Sequence, residues 1–166
     1  GVKKHFPAIY NDFISNLPKG NNGKIPAQLF NLIHTEDSTR RKKYARIWAK
    51  YEFQISSLKV EKRSEEEWDR IFNNFNPIAF SVLENYYMKN DCFLEENQLL
   101  KNVDLLGSTR VIIVNGRYDA ICPPVTAYKL HKKLQNSSLI IAEESGHWMG
   151  EENIEKALLK AMREFE

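Results

Sequence analysis

The part of this 166-residue chain that most limits what it can fold into runs from residue 111 to residue 147. It opens on Val111-Ile112-Ile113-Val114, a β-branched run without polar alternation, as expected for a parallel strand covered on both faces. The turn Gly116-Arg117-Tyr118-Asp119 follows. Pro123-Pro124 then starts a helix through Leu134, and Leu139-Ile140-Ile141-Ala142 repeats the buried-strand pattern ahead of Ser145-Gly146-His147. A helix and a strand between the two motifs return the histidine to the strand end beside the aspartate. In open α/β sheets functional groups collect at the carboxyl ends of strands, where loops converge over a crevice. Asp119 and His147 both stand there, an orienting acid and a general base that lack only a nucleophile. Taken singly, each has a plain reading: aspartate is a common turn residue, and a Gly-His pair is ordinary.

The preceding hundred residues read as helices. Residues 5–18 carry Phe6, Ile9, Tyr10, Phe13 and Ile14 on one stripe, closed by Leu17-Pro18-Lys19-Gly20, and Asn21-Asn22-Gly23 is a turn. A second short helix spans residues 25–34. Thr35-Glu36-Asp37-Ser38 then offers capping oxygens to a long helix whose apolar face is Tyr44, Ile47, Trp48 and Tyr51, with Glu52 at its end and Arg40 to Lys43 and Lys50 outward. After a polar linker, Ser64-Glu65-Glu66-Glu67 opens a helix that buries Trp68, Ile71 and Phe75 and ends at Pro77. In residues 78–89, Phe80, Val82, Leu83, Tyr86, Tyr87 and Met88 surround Glu84 with apolar bulk. Residues 151–165 close the chain as an amphipathic helix. The expected class is α/β: a helical block over residues 1–105, then a β-α-β-α unit over residues 106–166.

Charge excludes some functions. The 24 basic and 22 acidic residues are interleaved and the net charge is +2, which leaves no electrostatic footprint for nucleic acid. The cluster Arg40-Arg41-Lys42-Lys43 reads as a solvated helix face. No apolar run reaches membrane-spanning length and no signal-peptide core follows the first residues, so a cytoplasmic setting without membrane contact is expected. Cys92 and Cys122 make no disulfide framework. Cys122, three residues after Asp119, reads as a buried, inert thiol.

Several separated motifs together resemble one family. Asn115-Gly116-Arg117-Tyr118-Asp119 with Cys122-Pro123, Ala127, Leu130-His131-Lys132 and Ser145-Gly146-His147 is similar to the carboxyl end of the proline iminopeptidases, α/β-hydrolase serine peptidases that remove an N-terminal proline. Phe6-Pro7 and Leu17-Pro18 resemble the entry to that family's helical cap. Ile47-Trp48-Ala49-Lys50-Tyr51-Glu52 resembles its Trp-x-x-Trp-Glu segment, and Glu84-Asn85-Tyr86-Tyr87 its Glu-Asn-His-Tyr segment. Asn115 stands where the family has His, Ser145 where it has Ala, and Tyr51 where it has a second Trp.

The resemblance implies that Asp119 and His147 are the triad acid and base, and that Glu52 and Glu84 bind the substrate's secondary ammonium. Tyr51, Phe53, Tyr86 and Tyr87 are candidates to line the proline pocket, although aromatic stripes at helical spacing more often serve as core. Arg117 is expected to make structural bonds in its turn. No cofactor or metal is implied. No Gly-x-Ser-x-Gly elbow and no glycine-rich oxyanion loop occurs in this sequence, and in the family both lie upstream of the cap. The expectation is therefore the carboxyl-terminal part of an α/β-hydrolase fold, inactive alone, whose partners are peptides with N-terminal proline and the missing half of the core. Its exposed apolar surface could otherwise join copies into a homo-oligomer. Two other readings stay open: another cap-bearing α/β-hydrolase such as an esterase, and a non-catalytic interaction module with the same fold.

Overall fold

In the computed structural model residues 1–19 and 24–165 are described; the expected turn at Asn21-Asn22-Gly23 lies outside them. The chain divides into two units, one of residues Phe6–Gln54 and Glu61–Glu95, the other of Gly1–His5, Ile55–Val60 and Glu96–Glu166.

The first unit is helical. It holds α1 (Pro7–Ser15), α2 (Ile25–Ile33), most of α3 (Ser38–Ser56), α4 (Glu65–Asn74) and α5 (Pro77–Lys89). Each start has a local cause. Pro at the first turn of α1, α2 and α5 fills a position whose N–H has no intrahelical partner. Asp37 Oδ1 accepts the N–H groups of Thr39 and Arg40 ahead of α3. Ser64 and Glu67 close a reciprocal capping box on α4. Pro77 does not end α4 as expected. The helix stops at Asn74, and Asn76, which accepts from the N–H groups of Ile78 and Ala79, caps α5 with Pro77 as its first residue.

The core of this unit is small where backbones approach and aromatic elsewhere. Ala45, Ala49 and Ser81 are fully buried, and Ser81 Oγ donates to the Ala45 carbonyl at 3.0 Å, which brings α5 against α3. Rings of Phe53, Trp68, Phe72, Phe75 and Phe80 meet edge to face or stacked across α3, α4 and α5. Lys50 does not face solvent freely: it pairs with Glu65 at 2.5 Å and lies 5.8 Å from the Trp68 ring centroid. Nor is α5 apolar all round, because Leu83, Tyr86 and Tyr87 are exposed and its inward residues are Ser81 and Asn85.

The second unit carries α6 (Gln98–Lys101), β1 (Val111–Gly116), α7 (Pro124–Lys133), β2 (Ser137–Ala142) and α8 (Glu152–Arg163). β1 and β2 are parallel, registered from Val111 opposite Ser137 to Gly116 opposite Ala142. Both α7 and α8 pack on the strands. The class is α/β, as expected. One expectation differs: residues 111–115 are half-buried, not sealed on both faces. Among the described residues the sheet has two strands, so each strand has a neighbour on one edge only.

Candidate active site

β1 delivers the acid. Its end, Gly116, sits so close to the loop after β2 that a Cβ there would lie 1.9 Å from the Gly146 carbonyl oxygen. The N–H of Arg117 donates to the Ala142 carbonyl and that of Tyr118 to the Ser145 carbonyl, both at 2.9 Å, which continues strand-like pairing past the sheet. The Asp119 side chain, 7% exposed, is turned back: Oδ1 accepts the N–H groups of Ile121 at 3.0 Å and Cys122 at 2.7 Å. Asn115 braces the same turn through Nδ2, which donates to the Gly116 and Cys122 carbonyls. Arg117 chelates Glu143 and keeps to the structural role expected.

β2 delivers the base. His147 Nδ1 lies 2.9 Å from Asp119 Oδ2, and the imidazole is 39% exposed. The pair couples a buried carboxyl to a half-open ring. The backbone N–H groups of His147 and Trp148 both donate to the Ser56 carbonyl, at 2.8 and 2.9 Å. Cys122 is exposed rather than buried, and its backbone N–H donates to the acid. Neither it nor Cys92, also exposed, is in a disulfide.

A serine beside an imidazole also occurs, with Ser137 Oγ 2.8 Å from His131 Nδ1. It starts β2, however, while His147 follows that strand's end, and six residues of extended chain put the two roughly 20 Å apart. That hydroxyl pins the α7–β2 turn and does not complete the Asp119–His147 pair.

The helical unit holds the two glutamates. Glu52 is 9% exposed, and burial first, then the charge of Glu84, push its carboxyl up to about 8. Glu84 Oε2 accepts the Trp48 indole N–H at 2.6 Å, so a residue read from the sequence as apolar face holds this carboxylate in place. Tyr51 is core: it is buried, stacked on Phe13 at 4.2 Å, and its hydroxyl is pushed up to about 12 by burial and by the charge of Glu52. Tyr86 is partly exposed between Phe30 and Phe93. The sequence reading did not assign the parts of Trp48, Asn115 and Ser56, which act through an indole N–H, an amide and a backbone carbonyl. None of these roles has a spacing signature. Among the described residues no group of three or more His, Cys, Asp or Glu could hold a metal, and no helix is long and apolar enough to cross a membrane.

The family described as TAP-like protein matches residues 89–165. A "Probable proline iminopeptidase" from Leptolyngbya boryana is 31% identical over 99% of this chain and 51% of its own length. The chain is therefore a relative of the proline iminopeptidases. A proline iminopeptidase from Xylella fastidiosa (strain 9a5c) is also 31% identical, over 89% of this chain and 46% of its own, and one from Arabidopsis thaliana is 28% identical over 97% and 42%. The chain thus spans about half the length of the curated relatives it matches.

Proposed function

We propose that this chain is the acid, base and cap portion of a serine-type aminopeptidase that releases N-terminal proline from peptides. In this reading the nucleophilic serine and the oxyanion donors come from the part of the relatives' length that this sequence does not span. The observation that carries the reading is the 2.9 Å contact between His147 Nδ1 and Asp119 Oδ2 at adjacent parallel strand ends, in a chain whose relatives bear that name. With Nδ1 on the acid, Nε2 is the nitrogen that takes the serine proton and returns it to the leaving amine. Asp119 fixes the tautomer and stabilises the imidazolium that forms.

The paired carboxyls of the helical unit support the substrate class. A proline at a peptide's amino terminus is a secondary ammonium, and a buried carboxyl beside an indole-held carboxylate is a site for one positive charge. Peptides with N-terminal proline and the remaining hydrolase core are the partners, and the cytoplasm is the setting. The test is cleavage of proline naphthylamide by the protein with its nucleophile-bearing part and by its His147→Ala variant, where equal rates sink the proposal. An amine-blocked substrate separates the classes: cleavage as fast as that of the free-amine compound means an esterase-like hydrolase.

A further inference from the structure

The loop after β2 has no regular structure before α8, yet it must hold an imidazole against Asp119. Its anchor is Glu151. Oε1 accepts the Leu58 N–H at 2.7 Å and Oε2 accepts the Gly146 N–H, so one carboxylate bridges residues 55–60 to the residue just before His147. Glu151 is also the N-cap residue of α8, but its side chain makes no capping bond to that helix and instead accepts from the loop and from residues 55–60. The bridged segments are in close contact, since a Cβ on Gly146 would lie 2.8 Å from the Leu58 nitrogen. The Ser56 carbonyl, two residues before Leu58, takes the N–H groups of His147 and Trp148.

We propose that Glu151 is a positioning residue for His147. It rests on the reading of His147 as the general base. Two N–H donors from different segments converge on one side chain, and only a carboxylate offers each an acceptor oxygen. Glutamine would turn an NH₂ group toward one of them, and aspartate is one methylene too short to keep both. Loss of the bridge frees the loop that aims the ring, and a misplacement of about 1 Å in a catalytic group lowers a rate roughly 100-fold.

The test compares wild type, Glu151→Gln and Glu151→Asp in the protein with its nucleophile-bearing part, by kinetics on proline naphthylamide and by ¹⁵N spectra of the His147 ring. Expected for Glu151→Gln is a fall in kcat of about 10- to 100-fold with KM within about threefold, and ring shifts that move from the Nδ1–H form toward a tautomer average. Unchanged kcat and unchanged ring shifts overturn the proposal, even if the variant melts earlier. If wild type does not cleave the substrate, the function reading fails, while the ring spectra still decide the role of Glu151. If the variants do not fold, hydrogen exchange in wild type decides: the Gly146 and Leu58 amides must both be protected, and free exchange at either overturns the bridge.

Discussion

Glu52 offers the sharpest test of the physical argument, because it can be read as stability without any substrate. Burial and, second, the Glu84 charge raise its carboxyl from an ordinary 4.5 to about 8. Native protein therefore keeps a proton on Glu52 that the unfolded chain gives up. A raised native value means that this contribution to stability is fully present below pH 4.5 and is lost progressively as pH rises to 8. Each unit of difference is worth about 1.4 kcal/mol, so the whole window amounts to on the order of 5 kcal/mol. Glu52→Gln keeps the shape and carries no titrating proton. The variant's stability relative to wild type should rise from near zero at pH 4.5 to several kcal/mol at pH 8, with most of the change by pH 7. Urea unfolding of both proteins at half-unit pH steps measures this. A difference that stays flat between pH 5 and pH 8 refutes the reasoning. Glu84→Gln should shrink the slope without removing it, since burial is the larger cause.

Three other outcomes follow from named contacts. Gly116→Ala sets a Cβ 1.9 Å from a backbone oxygen with no flexible side chain to yield, and should destabilise by about 3 kcal/mol or more, read as a lower urea midpoint with unchanged slope. Trp48→Phe removes the N–H that holds Glu84; a hydrogen bond to a charged group is worth about 1.5–3 kcal/mol, so KM for a free-amine proline substrate should rise roughly 10- to 100-fold with a smaller change in kcat. Asp119→Asn leaves the turn nearly intact but favours the wrong imidazole tautomer, and should lower kcat by about 10⁴ with stability changed far less.

Much of the layout was legible because local chemistry announces it. Pro124 and the run Ser64 to Glu67 open α7 and α4 as read, both β-branched runs are strands, and Pro77 opens α5 where it was read as the end of α4. Pairing of Asp119 with His147 followed from topology alone. Side-chain direction was harder. Periodicity placed Lys50 outward, but Glu65 and the Trp68 ring, on another helix, draw it in. Leu83 and Tyr87, apolar by type, are exposed, while Ser81, whose hydroxyl meets the Ala45 carbonyl, and Asn85 take the inner positions of α5. Cys122 gives its backbone N–H to Asp119 while its side chain is exposed, an arrangement that residue type does not encode. Glu151 read as the start of a helix, and only the loop it ties reveals its use.

The buried carboxyls of the two units show how surroundings, not residue type, assign a role. Asp119 is sealed, and three donors converge on its oxygens: two backbone N–H groups and the His147 ring. Its job in the proposed reaction is to remain where it is while the half-open ring beside it exchanges protons. Glu52 is sealed to nearly the same degree, but the charge next to it is another carboxylate, and the result is a side chain that keeps its proton into neutral pH. A pair of that kind carries about one negative charge, the amount that a single ammonium neutralises. Binding of such a cation should therefore release part of a proton from Glu52. Affinity for a proline-type ammonium should then increase from pH 6 to pH 8, and Glu52→Gln should abolish that rise. Isothermal titration in two buffers of different ionisation enthalpy reads both effects, and binding with no proton release in wild type would separate Glu52 from the amine.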